Sequence, residues 1–288
     1  MAKRRRALLV LAAAILAAGC VGPALSPAAN SNPANESSLP EASVPPAADS
    51  VAAYRAYLVT NTDLLVARTK PFVDAVIAGK ISQAKALYAP AHEPYGRIEA
   101  VSEVYGDLDP AINSLEGDVA PGAPFTGFHR LERALWQQKT TTGMASIARK
   151  LLADVTALQA LVTTVDLDPA TIANGAVGLL NDVSASRLNG DEERYSHTDV
   201  WDLEANVAGA QAAWNAVKPL VLGRAPDLAN SVDQGFAALT AALQPYQKGA
   251  DWASFSAVTP TDAAAIGQLV DSLADPLSQV AAIVGSAP

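Results

Sequence analysis

The sequence predicts an all-α protein in which two four-helix-type bundles pack together as one domain. Of the 288 residues, 50% are apolar but only 6% are aromatic, so the apolar mass is mostly Ala, Val and Leu, which suit close helix packing. From residue 50 onward, apolar positions recur with the 3.6-residue period of a helix. No segment alternates polar and apolar residues convincingly, as a half-buried strand would.

The composition excludes several classes of function. Twenty Lys and Arg against 29 Asp and Glu give a net charge of −9. An acidic chain repels a phosphate backbone, so nucleic acid is excluded as a partner. The single cysteine excludes an intramolecular disulfide framework and Cys-rich zinc or iron–sulfur sites. Chemistry is therefore left to oxygen ligands and to three histidines, His92, His129 and His197.

The first 19 residues have the features of a lipoprotein signal peptide. A basic start, Lys3-Arg4-Arg5-Arg6, precedes a mostly aliphatic, uncharged run over 7–18, which is too short for a permanent membrane span. The segment Leu16-Ala17-Ala18-Gly19-Cys20 resembles a bacterial lipobox, in which the cysteine becomes lipid-modified. We therefore expect lipidation at Cys20. An ordinary signal peptide that ends in a small apolar cysteine is the alternative.

Residues 20–49 are expected to form a flexible tether. The segment is rich in Pro, Ala, Ser and Asn, a composition too polar to bury a core. Removing residues 1–19 takes away four of the 20 cationic side chains and none of the 29 acidic ones, so the net charge falls from −9 to −13. The expected arrangement is a helical domain over 50–288, lipid-anchored to the outer face of the bacterial cytoplasmic membrane.

The helices are expected in the following order. A long amphipathic helix runs from residue 50 to 76, with Pro71 as a site for a bend and Gly79 as its stop. A second covers 81–105 and is disturbed by two prolines, and Asp, Pro and Gly then predict a loop over 106–127. Capping residues such as Asp168 and Thr259 mark later helix starts. These later helices are expected at 128–139, 142–165, 169–187, 198–221, 226–246 and 261–284.

The richest polar cluster is His129 and Glu132, near the start of one of these helices. Their i, i+3 spacing places both side chains on one face, where imidazole and carboxylate can hold two corners of a metal site. Spacing alone leaves a capped or surface histidine as the alternative. Metalloprotease patterns fail, because H-E-x-x-H is absent and Arg133 breaks H-x-x-E-H. No G-x-S-x-G sequence supports a serine hydrolase.

Several blocks in a fixed order carry a family resemblance. They are Ala86-Leu87-Tyr88-Ala89-Pro90, Arg97-Ile98-Glu99, Gly106-Asp107-Leu108-Asp109-Pro110, Gly127-Phe128-His129-Arg130-Leu131-Glu132 and Tyr195-Ser196-His197-Thr198-Asp199-Val200-Trp201-Asp202. Together they resemble the imelysin-like (M75 peptidase-like) family, and within it the iron-uptake lipoprotein branch called EfeO or EfeM. The resemblance covers about residues 50–286, the whole helical body.

The resemblance implies an extracytoplasmic iron-binding protein. Such a protein would bind Fe²⁺ or Fe³⁺ and deliver it to a membrane iron permease of the EfeUOB type, with a dye-decolourising haem peroxidase as companion. Zinc and copper are further candidate ions. Two other functions stay open: a metal-dependent envelope peptidase, and a metal-free module that binds a polysaccharide or a protein.

The resemblance also implies a set of metal ligands. His129 and Glu132 match its H-x-x-E pair, and Glu99 matches a helical acid. The acid expected one turn before Glu99 is replaced by Gly96, and the acid expected after the Gly106–Pro110 turn is replaced by Asn113, a neutral acceptor. Losing two anionic ligands around a hard cation predicts weaker binding or a different ion.

The remaining candidates lie near the block that starts at Tyr195, or beside two prolines. Glu192 matches an acid that precedes the block, with Glu193, His197 and Asp199 as secondary candidates. For His197, hydrogen bonding near a helix start is the simpler expectation. We interpret His92, which lies between Pro90 and Pro94, as part of a solvated turn.

Overall fold

The computed structural model describes residues 47–185 and 187–285. The predicted signal peptide, Cys20 and residues 21–46 of the predicted tether lie outside the described residues. The last three residues of that predicted tether, 47–49, already belong to the first helix. The helices are α1 Ala47–Ile77, α2 Ile81–Ile98, α3 Leu108–Asn113, α4 Gly127–Trp136, α5 Ala145–Leu161, α6 Pro169–Ala185, α7 Asp199–Leu222, α8 Pro226–Leu243, α9 Pro260–Ser278 and α10 Val280–Gly285. In this part of the chain, no helix is long and apolar enough to cross a membrane.

The helices form two bundles that are joined through α7. In one bundle, α1 packs against α2 and α5, and α4 packs against both α2 and α5. In the other, α6 packs against α7 and α9, and α8 packs against the same two helices. Contacts of α7 with α1 and α2 join the bundles. The predicted all-α class with two packed bundles is confirmed.

The core follows the 3.6-residue periodicity of the sequence. In the first bundle, Tyr54, Leu58, Leu65 and Phe72 recur on one face of α1 and are fully buried. In the second bundle, Trp214 of α7, Phe236 of α8 and other apolar side chains form the interior.

The predicted caps form at two helix starts. The side chain of Asp168 accepts hydrogen bonds from the backbone N–H groups of Ala170 and Thr171, at 2.8 and 2.9 Å. Thr259 and Asp262 form a reciprocal capping box at the start of α9. These interactions satisfy N–H groups that the first turn of a helix leaves without intrahelical partners.

Several expectations about elements were wrong. The 106–127 segment, expected to be a loop, contains α3 and a 3₁₀ turn at Glu116–Asp118. Two short strands, β1 Gln247–Lys248 and β2 Asp251–Trp252, pair as an antiparallel hairpin that no alternation marks. The last predicted helix is divided into α9 and α10, because the N–H of Gln279 bonds to the carbonyls of Pro276 and Leu277 and closes α9 with a tightened turn.

Helix α2 is shorter than predicted. It ends at Ile98, and residues Glu99–Tyr105 continue as 3₁₀ helix with a non-helical residue at Val101. An ideal Cβ at Gly175 of α6 would lie 1.8 Å from the carbonyl oxygen of Ala100. The close approach of α6 to this backbone therefore accompanies the change of helix type, and it sets the position of Glu99 at the end of α2.

Candidate metal centre

The start of α4 places His129 and Glu132 in the interior. Gly127 has a φ of +82°, and an ideal Cβ there would lie 2.2 Å from the carbonyl oxygen of Ile112. The first turn of α4 is thus packed directly against the end of α3. From this start the two side chains turn inward, with His129 2% and Glu132 1% exposed. The Nδ1 of His129 lies 3.6 Å from Oε2 of Glu132.

The other oxygen of Glu132 binds the backbone of a distant segment. Its Oε1 accepts hydrogen bonds from the N–H groups of Tyr195 and Ser196, at 2.9 and 2.7 Å. Burial acts to raise the pKa of this carboxyl, but His129 and the two N–H groups outweigh burial and hold it below its ordinary value. Glu132 is therefore an anion oriented toward His129.

His129 is a buried imidazole whose ring nitrogens both lack a hydrogen-bond partner among the described residues. An unpaired polar group in a protein interior costs about 1–3 kcal/mol. Burial lowers the pKa of His129, but the neighbouring carboxylates, Glu132 first, raise it further than burial lowers it. These carboxylates favour a positive charge at His129, which a bound metal ion would supply in place of the proton.

The interpretation of His92 as part of a solvated turn was wrong. His92 is 3% exposed and lies inside α2, which continues through both prolines. Pro94 has no N–H to give to the carbonyl of Pro90, and Nη1 of Arg68 donates to that carbonyl instead, at 3.2 Å. This replacement donor accounts for an unbroken helix where the sequence suggested a turn.

The ring of His92 is surrounded by polar side chains. Its Nδ1 lies 2.8 Å from Oε1 of Glu193 and 3.3 Å from Oδ1 of Asp202, and its Nε2 lies 2.6 Å from Oδ1 of Asn113. Burial lowers the pKa of His92, but the two carboxylates raise it well above its ordinary value. His92 therefore connects α2 with three other parts of the chain.

Glu193 is fully buried just before α7. Its Oε1 also accepts a hydrogen bond from the hydroxyl of Tyr88 at 3.2 Å, and its Oε2 accepts one from Oγ of Ser196 at 3.1 Å. Burial raises the pKa of Glu193 to about 8, and the nearby carboxylates of Asp202 and Glu132 add to this effect. The carboxyl of Glu193 is therefore costly to ionise unless a cation is present.

Asp199, at the start of α7, supports the backbone of the same segment. Its Oδ1 accepts the N–H of Glu193 at 3.0 Å, while its Oδ2 has no hydrogen-bond partner among the described residues. Burial raises the pKa of Asp199 to about 6. Asp199 thus contacts the backbone of Glu193 and helps to hold that residue in position.

One group of three candidate ligands stands out among the described residues. A ligand atom from each of His92, His129 and Glu193 lies within 4.8 Å of the other two, and no other such group of three His, Cys, Asp or Glu occurs there. Three further buried carboxylates, Glu132, Asp199 and Asp202, lie near the group, which makes four together with Glu193. In the described ranges, none of the four pairs with Lys or Arg. The four carboxylates outnumber the two imidazoles, a composition that favours a bound cation.

Asn113 and Glu99 extend the network on the other side of His92. The amide of Asn113 donates to Oε1 of Glu99 at 3.3 Å, and the amide of Asn206 donates to Oε2 of Glu99 at 2.9 Å. An ideal Cβ at Gly96 would lie 3.2 Å from Nδ2 of Asn206. Asn206, together with Ala205 at 3.0 Å, therefore limits the space for a side chain at position 96.

Glu192 lines a small cavity together with His129 and Glu132. The cavity has a volume of about 20 Å³, and exposed residues, among them Glu116 and Asp191, line it as well. This space suffices for about one water molecule or ion. His197, in contrast, is exposed, has a φ of +58° and lies outside the group of three.

The sequence missed His92, and it ranked Glu193 below Glu192. His92 and Glu193 are 101 residues apart, so no local spacing could pair them. A signal was present in α2, where Tyr88, His92 and Tyr95 recur at i, i+4 and i+7 on one helix face. That periodicity is typical of a buried face, and it argued against a turn.

Comparisons with known proteins agree with this architecture. The chain is 39% identical over 239 residues to the iron uptake system component EfeO of Escherichia coli K12, and equally to that of Shigella flexneri. The match covers 82% of this chain and 64% of each relative, so the chain spans less than two thirds of their length. A crystal structure from Parabacteroides distasonis, provisionally described as an iron-regulated protein A precursor, shares the fold.

That structure has a TM-score of 0.66 at 12% identity and covers 84% of this chain and 96% of its own. The family model of imelysin, Peptidase M75, matches residues 50–280. This range includes α2, α4 and the segment before α7, which supply the group of three. The chain therefore belongs to the imelysin family.

Proposed function

We propose that this chain is a lipid-anchored, extracytoplasmic iron-binding protein that delivers Fe(II) or Fe(III) to a membrane iron permease. The observation that carries the proposal is His129, a buried imidazole whose two nitrogens have no hydrogen-bond partner among the described residues and which lies near the buried carboxylates of Glu132, Glu192 and Glu193. Two relatives at 39% identity are named as components of an iron uptake system, which supports iron as the cargo.

His129 and Glu132 are the first two ligands in this proposal. Glu192 lines the cavity beside them. Glu99 and Asn113 act through the hydrogen-bonded network that ends at His92. Zinc and copper are competitors for the same ligands, because imidazole binds them well.

The size of the site supports binding over hydrolysis. A peptidase must admit a peptide bond beside a metal-bound water, whereas the cavity next to His129 and Glu132 has a volume of about 20 Å³. An ion fits such a space and a peptide does not. The buried negative charge likewise favours a cation over a metal-free module.

Lipidation at Cys20 and transfer to a permease complete the proposal, with a dye-decolourising haem peroxidase as companion. A lipidated Cys20 and a tether of about thirty residues would keep the helical domain beside the membrane that contains the permease. Replacing Cys20 with Ser should move the protein from the membrane fraction to the soluble envelope fraction. Retention of the variant in the membrane fraction would contradict the anchor.

Iron binding is tested by anaerobic titration of the mature chain with Fe(II), and with chelated Fe(III) in parallel. Two variants, His129→Ala and Glu132→Gln, should lose binding by at least about tenfold. Glu132→Gln is the sharper change, since its amide oxygen can still accept the N–H groups of Tyr195 and Ser196. His197→Asn, at an exposed histidine, is the matched control and should bind as the parent does. Unchanged binding in both site variants would refute the proposal.

A further inference from the structure

We infer that this chain holds its iron as the divalent ion, through the two imidazoles of His92 and His129 and the carboxylate of Glu193. The inference rests on the proposed function, because it names the ligands and the oxidation state of the same cargo site. It departs from the ligand set that the family resemblance implies, in which one histidine is joined by several acids. The argument has four steps.

The first step is distance. Two atoms that each lie about 2.1 Å from one ion are about 3–4 Å apart. Nδ1 of His92 and Oε1 of Glu193 are 2.8 Å apart, and the three ligand atoms of the group all lie within 4.8 Å of one another. Small side-chain shifts would bring all three onto a single ion.

The second step is the support behind these ligands. Nε2 of His92, the ring nitrogen that the ion does not need, lies 2.6 Å from Oδ1 of Asn113, and Asp199 accepts the N–H of Glu193 at 3.0 Å. An acceptor on the second nitrogen of a metal-bound imidazole fixes the ring's orientation, and backbone contacts do the same for a metal-bound acid. Asn113 ends α3 and Asp199 begins α7, so these two helices orient two of the three proposed ligands.

The third step concerns the acids that the family resemblance leads one to expect. Position 96 is Gly, and Asn206 limits the space beside it. Position 113 is Asn, and both oxygens of Glu99 accept hydrogen bonds from amide groups. On this side an amide contacts His92, and the carboxylate of Glu99 lies behind it. The ion's ligands are therefore drawn from the side of His129 and Glu193.

The fourth step is the chemistry of the ligand set. Two imidazoles with one carboxylate form the set typical of Fe(II) sites, whereas harder cations prefer sites made of oxygen atoms alone. Glu132, at 3.6 Å from His129, can supply a second carboxylate. The site would thus contain at least two nitrogen ligands, which favours the divalent ion.

A direct count of imidazole ligands tests the inference. X-ray absorption at the iron edge of the Fe(II)-loaded mature chain shows outer-shell scattering from each bound imidazole. The parent should show two imidazoles, His92→Gln should show one, and His197→Asn should show two. If the parent shows one, His92 positions Glu193 without touching the ion, and the inference is overturned while iron binding stands.

Affinity provides a second readout. Ga(III), supplied as citrate and corrected for that complex, is a redox-inert substitute for Fe(III). Fe(II) should bind at least about tenfold more tightly than Ga(III), and His92→Gln should weaken Fe(II) binding about tenfold or more while changing Ga(III) binding less than about twofold. Equal or tighter binding of Ga(III) by the parent overturns the inference. Absence of binding by both ions would remove the proposed function as well. Far-ultraviolet circular dichroism confirms that each variant is folded.

Discussion

Asn113 and His92 are joined by a 2.6 Å contact between an amide oxygen and Nε2, and the same amide donates its N–H to Glu99. A neutral side chain thus separates a buried imidazole from a carboxylate. The family resemblance leads one to expect an acidic residue at position 113, where this chain has Asn. In the structure, the amide has a use that a carboxylate lacks, because only the amide can donate to Glu99.

Asn113→Asp should therefore make the metal-free protein less stable. The substitution removes the donor to Glu99 and places two carboxylates about 3.3 Å apart, a change that costs about 1–3 kcal/mol when buried. Thermal unfolding should show a lower midpoint without metal and a larger rise on adding Fe(II) than in the parent. Asn181→Asp, at an exposed position of α6, makes the same charge change and should leave both values nearly unaltered. An unchanged midpoint in Asn113→Asp would contradict this role of the amide.

Gly127→Ala should displace the start of α4. An ideal Cβ at Gly127 would lie 2.2 Å from the carbonyl oxygen of Ile112. The positive φ of this residue adds backbone strain to that clash. The control is Gly122→Ala, which has a φ of +85° but no atom within 4 Å of the added Cβ. We expect about 1 kcal/mol of destabilisation for the control and more than about 3 kcal/mol for Gly127→Ala, by chemical denaturation. Equal effects would show that the contact with Ile112 is relieved without cost.

Arg68→Met should destabilise the proline-containing part of α2. The substitution leaves the carbonyl of Pro90 without its donor, and it removes an ion pair with Glu93. The expected loss in the free energy of unfolding is about 1–3 kcal/mol. Lys70→Met, on the same helix, removes an exposed pair with Asp74 and should cost less than about 1 kcal/mol. If the two substitutions cost the same, the hydrogen bond to Pro90 has no net effect on stability.

Asp233 should give the stability a dependence on pH in the acid range. Partial burial raises the pKa of Asp233, but hydrogen bonds from Lys218 and Trp214 outweigh this and lower it below the ordinary 3.8. A lowered pKa in the folded state stabilises the protein above pH 3.8, and the stabilisation is lost as the pH falls through the lower value. Asp233→Asn should reduce this slope, seen in urea unfolding followed by Trp fluorescence. A slope equal to that of the parent would contradict the assignment.

Periodicity and caps predicted the helical fold, and i, i+3 spacing predicted that His129 and Glu132 share a face. Those signals are local, so the sequence alone could show them. The contact of His92 with Glu193 joins residues 101 positions apart and left no such signal. The prolines beside His92 were misleading for a different reason. A distant arginine satisfies the freed carbonyl, and no rule based on neighbouring residues contains that information.

The bond from Glu132 to the backbone at Tyr195 and Ser196 has a consequence for when the protein can hold metal. The proposed ligands come from α2, α4 and the segment before α7, and only His129 and Glu132 are close together along the chain. An unfolded, newly synthesised chain therefore offers an ion no more than two ligands that are close together in sequence. Affinity arises only once the two bundles have met. Folding itself would then decide in which compartment the chain first acquires its cargo.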